Sequence, residues 1–447
     1  MINSEPKTGG GAAASIIPAD QKLRRAVLAC MLWEDMAYES GVSNAANITS
    51  LVGEVEPKVA ASIAYEARQK QNLRSAPLLV VLSMIGKEDC KPYVADAIDS
   101  VIQRPDEIAK LLKMYQDKNG KGAPLSNQMK RGLAKAFRKF NSEYVLGKYK
   151  NGVDGMTLRD AMFLVHPKPV DENQAVLFKK LANKELATPD TWETNLSSGK
   201  DKKETFSRLI QEKKLGALAF LRNLRNMAES GVDARLIREG LAQVKTEKVL
   251  PFRFISANRT TGGQFQKELE DLMLKSLREG DVKLKGHTII AVDVSGSMEA
   301  QLSGKSDLTR EDAGAALAIL VKEISDSCTV YATGNKTVRV NDNLHGFALA
   351  NGIKTAGAGY GGIYLKPCVE YIHGLEKECD QMIVITDGQD CGRGNDSPTL
   401  VQPFAKHNYL MDIAAHKNGI GYEKFTVING FSEALVHYVA EDIRLFG

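Results

Sequence analysis

The pattern of hydrophobic and polar positions changes once along the chain, close to residue 285. Residues 18–280 have the pattern of a succession of helices that are separated by polar residues, glycine and proline. The predicted helices are 19–39, 56–69, 76–86, 93–103, 105–117, 127–140, 157–165, 173–182, 203–212, 216–230, 234–241 and 263–278. This long run of helices without a strand pattern predicts stacked helical pairs, an α-solenoid.

Beyond residue 285 the pattern is that of strands alternating with helices. Runs rich in β-branched residues have the length of strands, and helical stretches such as 310–327 and 365–373 separate them. The runs are 287–294, 328–333, 381–386 and 424–429. Such alternation predicts a parallel sheet with crossover helices, a doubly wound α/β domain. We therefore expect a disordered tail (1–16), a helical domain (17–285) and an α/β domain (286–447).

Composition places the chain among globular proteins of two or three domains. Its 447 residues are 43% hydrophobic and 26% charged, which are ordinary values for such proteins. The longest apolar runs are too short to span a membrane, and the N-terminal residues lack the apolar core of a secretory signal, so we expect a cytoplasmic protein. The six cysteines form no CxxC pair and the histidines no HExxH motif, so a zinc enzyme is not expected.

Charge is distributed unevenly between the two parts of the chain. Residues 286–447 hold 13 Lys and Arg against 20 Asp and Glu, a net charge of −7, whereas residues 1–285 hold 46 against 35, a net charge of +11. A basic part of this size indicates a polyanionic partner such as nucleic acid.

The basic charge is densest in residues 130–150, which carry a net charge of +6. Arg131, Lys135 and Arg138 recur at helical spacing and would form one stripe along a helix, with Tyr144 and Tyr149 following as stacking platforms for bases. The alternative is an ordinary solvated helix face. The candidate contacts to single-stranded nucleic acid are Lys130, Arg131, Lys135, Arg138, Lys139, Lys148 and Lys150.

Oxygen-bearing side chains follow two of the predicted strands. Asp293, Ser295 and Ser297 form an Asp-x-Ser-x-Ser motif after the first strand, and Asp387 follows the run 381–386. Because ligands bind at the carboxyl ends of strands in doubly wound sheets, we expect these four residues to meet there. A set of carboxylates and hydroxyls suits a hard divalent cation, most simply Mg²⁺.

This motif resembles the metal-ion-dependent adhesion site of the von Willebrand factor A domain. The resemblance assigns Asp293, Ser295 and Ser297 to the family's first metal-binding motif and Asp387 to its last. The family's middle motif supplies a Thr, whereas the corresponding loop here, 357–364, contains no Ser or Thr. The metal-ligand set therefore departs from the family pattern at this position.

The whole chain resembles the Ro autoantigen family of TROVE-domain RNA-binding proteins. The segments that carry the resemblance are 72–80, 147–150, 155–160, 165–169, 218–227 and 251–257. It implies a ring of HEAT-type helical repeats followed by a Rossmann-like A domain, small structured non-coding RNAs (Y RNAs) on the basic outer surface, and single-stranded 3′ ends of misfolded RNA in the hole. It also places Lys148, Lys150 and His166 in the RNA-contacting segment; Arg159 either faces the RNA or pairs locally.

These observations favour a non-catalytic RNA-binding protein that acts in RNA quality control or as a ribonucleoprotein scaffold. For bacterial relatives, the resemblance to the Ro family implies an exoribonuclease partner. Neither DNA nor a membrane is expected as a partner. The alternative is an adaptor whose A domain captures a carboxylate of a partner protein through its metal ion. A hydrolase lacks support because the sequence shows no acid–base pair and no two-metal carboxylate cluster.

Overall fold

The computed structural model consists of two compact units that divide between residues 194 and 195. We call the first the helical unit and the second the sheet unit. The structure describes residues 18–28, 41–71, 73–245, 249, 251–280, 282–302, 308–356, 361–392, 394–397, 400–414, 424–429, 436, 439–440 and 442–443. The predicted disordered tail, residues 1–16, lies outside the described residues, as does the part of the first predicted helix beyond residue 28.

The helical unit consists of packed helices, as the sequence predicts. They are α1 (Ala19–Leu28), α2 (Gly41–Leu51), α3 (Pro57–Gln69), α4 (Ser75–Met84), α5 (Lys91–Val101), α6 (Pro105–Asn119), α7 (Asn127–Phe137), α8 (Glu143–Tyr149), α9 (Leu158–Val165) and α10 (Glu172–Asn183); α11 (Trp192–Ser197) crosses the boundary between the units. The prediction did not include α2, α8 and α11. Two of these have seven residues or fewer, too few for a clear helical pattern.

The core of the helical unit is built around α4. Its residues 76–84 are all buried, since this helix is apolar on every side. Elsewhere in this core the ring of Phe137 on α7 packs edge to face against the ring of Phe178 on α10, with the ring centroids 6.1 Å apart. The carboxylate of Glu107, fully buried, accepts a hydrogen bond of 2.9 Å from the side chain of Arg68. Apolar packing and a paired internal charge therefore hold the helices together.

The sheet unit begins with helices and continues with the predicted α/β region. Its elements are α12 (Lys202–Gln211), α13 (Ala217–Glu229), α14 (Ala234–Gln243), α15 (Pro251–Thr260), α16 (Gln266–Arg278), β1 (Leu284–Asp293), α17 (Arg310–Ile324), β2 (Ser325–Thr333), β3 (Thr337–Arg339), α18 (Gly346–Thr355), α19 (Leu365–Glu376), β4 (Gln381–Thr386), β5 (His407–Asp412) and β6 (Thr426–Asn429). The prediction did not include α15, α18, β3 and β5.

The strands form one six-stranded sheet in the order β3-β2-β1-β4-β5-β6, in which only the short edge strand β3 is antiparallel. The first strand, β1, lies in the middle of this sheet. The strands β2 and β3 are added on one side of it, and β4, β5 and β6 on the other. The carboxyl ends of β1 and β4 therefore lie side by side at the point where the strand order reverses, where doubly wound folds bind ligands.

The helices α15 and α16 both pack against α17, and α16 also packs against α18. Arg259 of α15 forms an ion pair of 2.6 Å with Asp312 of α17, and Arg278 of α16 pairs with Glu323 at 2.8 Å. The side chain of Glu270 accepts a hydrogen bond from the backbone of α18. Helices that precede residue 285 thus form part of the same compact unit as the sheet.

The predicted fold class, a multidomain α plus α/β protein with a helical region followed by a doubly wound domain, is confirmed. The domain boundaries stay a prediction. The secondary structure changes from helices to strands and helices at residue 284, whereas the boundary between the two compact units lies ninety residues earlier, after residue 194. No helix in the described part of the chain is long and apolar enough to cross a membrane.

Candidate functional site

The basic segment of residues 130–150 begins on α7. This helix starts after Ser126, whose hydroxyl accepts a hydrogen bond of 3.2 Å from the backbone of Met129. One face is buried, and Gly132 on that face approaches the backbone of Ala95 in α5 so closely that a Cβ atom would collide with it. The close packing fixes how α7 is rotated. The cations Lys130, Arg131, Lys135, Arg138 and Lys139 are all exposed.

Acidic residues of α5 pair with some of these cations. Lys135 lies 2.6 Å from Asp96, and Lys139 lies 2.8 Å from Asp99 and also donates to a backbone carbonyl of the same helix end. Lys130, Arg131 and Arg138 form no ion pair with any residue that the structure describes. All five predicted cations are therefore exposed, but they differ in how freely they can bind phosphate.

The aromatic part of the segment lies on α8, which Ser142 caps. Tyr144 is half exposed, with 51% of its surface accessible. The ring of Tyr149 is covered instead, since the Arg104 guanidinium lies 4.6 Å and the Lys148 ammonium 5.8 Å from its centroid. Of the two predicted stacking platforms, only Tyr144 offers a ring that no described cation covers.

The negative charge of the segment's acidic residue is paired with a lysine of α10. Glu143 is the only acidic residue in the window, and its pKa is lowered by a hydrogen bond from Lys180 of α10 and by one from the backbone of Ala187. Lys148 is exposed and Lys150, at the end of α8, is half-buried. The local surface therefore keeps its positive charge.

His166 ends α9 in a left-handed backbone conformation, with φ 53° and ψ 56°. Its backbone donates to the carbonyl of Met162 at 2.8 Å, and its side chain is exposed immediately before Pro167. The histidine thus closes the helix through its backbone while its ring stays accessible. Arg159 is engaged locally, because its Nε donates to the carbonyl of Ala182 and its guanidinium lies 4.7 Å from the ring of Phe163.

The oxygen-bearing residues of the sheet unit meet at the ends of β1 and β4, as predicted. Asp293 accepts hydrogen bonds from the backbone of Ser295 at 2.8 Å and from the hydroxyl of Thr386 at 2.7 Å. The hydroxyls of Ser295 and Ser297 lie 3.2 Å apart. Burial raises the pKa of Asp293 to about 6, although the hydrogen bonds from Ser295 act in the opposite direction.

Asp387, the last predicted metal ligand, has a partner that the sequence prediction missed. The guanidinium of Arg310 donates to its Oδ2 at 2.7 Å and to the backbone carbonyl of Ser297 at 3.3 Å. The four side chains are of the types that bind a hard cation, but one of the two carboxylates, that of Asp387, is already paired with the positively charged guanidinium of Arg310. Residues 357–360, half of the loop that corresponds to the family's middle motif, lie outside the described residues.

Two of the residues that matter at these surfaces could not be inferred from local patterns. Arg104 covers Tyr149 from a position 45 residues earlier, and nothing in the sequence around it indicates this contact. Arg310 carries a weak signal, because a cation in the first turn of a helix opposes the helix dipole and so calls for an acidic partner.

Comparisons with known proteins found similarities of sequence and of fold. Residues 182–278 match the family model of the TROVE domain. The mouse telomerase protein component 1 is 22% identical over 330 residues, which covers 53% of this chain; the chain spans only 12% of that protein's length. The crystal structure of the Ro (RSR) protein of Deinococcus radiodurans superposes with a TM-score of 0.64 at 16% identity, covering 95% of this chain and 99% of that one.

The match to the TROVE-domain model covers residues 182–278, and the fold of nearly the whole chain is that of the Deinococcus Ro protein. A helical region followed by a mostly parallel sheet of six strands is the architecture of the Deinococcus Ro protein across nearly its whole length. The resemblance to the Ro family that the sequence indicated is thereby confirmed.

Proposed function

We propose that this chain is a non-catalytic RNA-binding protein. TROVE-domain proteins of the Ro family bind RNA, which supports the general class. The observation that carries the proposal is the set of exposed cations on α7 and at its C-terminal end that lack an acidic partner among the described residues, namely Lys130, Arg131 and Arg138. Lys148 and Tyr144 add a cation and an uncovered ring in the same segment, which is the combination that binds single strands.

The finer proposal concerns the kind of RNA. A small structured, Y-like non-coding RNA would bind through its phosphates to the α7 cations, and single-stranded 3′ ends of misfolded RNA would use the segment of Lys148, Lys150 and His166. The protein would then act in the cytoplasm in RNA quality control, alongside an exoribonuclease, or as a ribonucleoprotein scaffold. Phosphate contacts position an RNA but carry no sequence information, so broad sequence tolerance is expected.

The adaptor hypothesis is less favoured. It requires a metal ion that is bound by Asp387 and free to capture a partner's carboxylate, and Arg310 already engages this residue. Binding of a protein partner that is abolished by EDTA and by Asp293→Asn in the absence of RNA would favour the adaptor.

Fluorescence anisotropy over a salt series tests the RNA proposal. The probes are a blunt RNA hairpin and the same hairpin with a single-stranded 3′ tail. We expect affinity to fall with salt, with a slope of log K against log[salt] of roughly −0.7 for each single-strand phosphate contacted. The double variant Arg131→Gln, Arg138→Gln should bind both probes more weakly and with a shallower slope.

The matched control is the double variant Lys58→Gln, Lys91→Gln, which removes the same charge from exposed positions on α3 and α5. It should bind nearly as the unchanged protein does. Equal losses in the two variants would show that only net charge matters and would remove α7 as the site. Salt-independent binding, or degradation of the RNA by the pure protein in Mg²⁺, would contradict the proposed function.

A further inference from the structure

The position of Arg310 is unusual for a cation. It is the first residue of α17, directly after Thr309, whose hydroxyl accepts a hydrogen bond from the backbone of Asp312. Its side chain is only 7% exposed, so the charge is removed from water at the helix end where the dipole is also positive. Such a placement is stable only if an anion compensates it. The fully buried carboxylate of Asp387 is that anion.

The contacts of Arg310 join the two halves of the candidate metal site. Its guanidinium donates to Oδ2 of Asp387, after β4, and to the carbonyl of Ser297, in the loop after β1. The other carboxylate oxygen of Asp387 accepts from the backbone of Gln389 at 3.3 Å. The guanidinium therefore bridges the chain segments that a metal ion would otherwise bridge.

The charge of the site leads to the same conclusion. Asp293 and Asp387 are both buried, and Arg310 contacts the carboxylate of Asp387 directly. A divalent cation bound to Asp387 would lie beside the buried guanidinium, and two cations that share one carboxylate in a poorly solvated site repel each other strongly. We propose that Arg310 is the resident cation of this site, and that a divalent metal ion binds Asp387 only in competition with it.

Calorimetric titration with MgCl₂ and MnCl₂ tests this proposal on the full chain. Arg310→Met removes the charge while keeping an unbranched side chain, and it should bind either ion about ten- to a hundredfold more tightly than the unchanged protein, the range of one charge-assisted hydrogen bond. Arg310→Lys keeps the charge and should stay close to the unchanged protein. Arg310→Gln keeps a hydrogen-bond donor without charge and serves the same test if Arg310→Met does not fold.

Two further variants make the result specific. Arg259→Met removes a cation that pairs with Asp312 on the same helix but lies outside the site, and it should leave metal affinity unchanged. Adding Asp293→Asn to the Arg310 variant should abolish the gain. EDTA should leave the melting temperature of the unchanged protein where it is. Equal metal affinity with and without Arg310, or weaker binding without it, would overturn the proposal.

Discussion

The ammonium group of Lys135 lies 2.6 Å from a carboxylate oxygen of Asp96, on the neighbouring helix. This pair divides the basic stripe of α7 into cations that are already partnered and cations that are not. Both side chains are substantially exposed, so the pair contributes little to stability. Its main effect is on what Lys135 can bind.

Asp96→Asn should therefore increase RNA affinity. The substitution frees Lys135 and removes a negative charge beside the proposed phosphate-binding cations, and a gain of roughly two- to fivefold is the equivalent of an exposed ion pair. Anisotropy with the tailed hairpin measures it. Glu88→Gln is the matched control, because Glu88 is also exposed but pairs with Lys91 and not with a cation of the stripe. No gain for Asp96→Asn relative to Glu88→Gln would mean that Lys135 does not contact RNA.

Tyr144→Leu should weaken binding of the single-stranded tail by about 1–3 kcal/mol, the usual contribution of one stacked base. Tyr149→Leu should cost less, because Arg104 and Lys148 already cover that ring. The difference in anisotropy between tailed and blunt hairpins measures stacking for each variant. A larger loss for Tyr149→Leu would show that the cations leave this ring when RNA binds.

Gly346→Ala should destabilise the sheet unit by about 1–3 kcal/mol, since position 346 has φ 53° and an added Cβ atom would collide with the side chain of Glu270. Gly374→Ala is the opposite case. Gly374 lies within α19 with open space around it, so alanine there should stabilise by about 0.5–1 kcal/mol. Thermal unfolding of both variants checks this pair of predictions, and a stable Gly346→Ala protein would contradict the first.

Asp380 should contribute to the acid sensitivity of folding. A hydrogen bond from Lys406 and one from the backbone of His287 lower its pKa in the folded protein. The carboxylate of Asp380 therefore takes up a proton more readily in the unfolded chain than in the folded protein. The stabilisation is present above the unfolded-state pKa of about 3.9 and is lost as the pH falls through the lower folded value. Chemical denaturation between pH 5 and about pH 3 should show a shallower loss in Asp380→Asn; an identical profile would refute this.

Local signals in the sequence were sufficient for several elements. Thr157 and Asp160 form the capping box that starts α9, and the β-branched runs gave four of the six strands. The strand β5 was missed because His407 and Asn408 make its beginning polar, and β3 because three residues are too few for a pattern. Local propensity thus predicted the order of the main elements.

The candidate sites were only partly predictable because their electrostatics depend on contacts between distant residues. The spacing of the α7 cations and the meeting of Asp293 with Asp387 follow from helix and sheet geometry. The partners do not: Asp96 precedes Lys135 by 39 residues, and Asp387 follows Arg310 by 77. No pattern of period two or 3.6 links such pairs, so the sequence identified which groups carry charge but not which charges are already neutralised.

The ion pairs of α15 and α16 with α17 affect how the protein can be divided by proteolysis or by expression of fragments. A fragment that starts at Gly286 would leave Asp312 and the almost fully buried Glu323 without Arg259 and Arg278, and would expose the apolar surface that those helices cover. A fragment that starts at Asn195 keeps all of these contacts. The compact unit that contains the sheet therefore includes most of the segment that matches the TROVE domain.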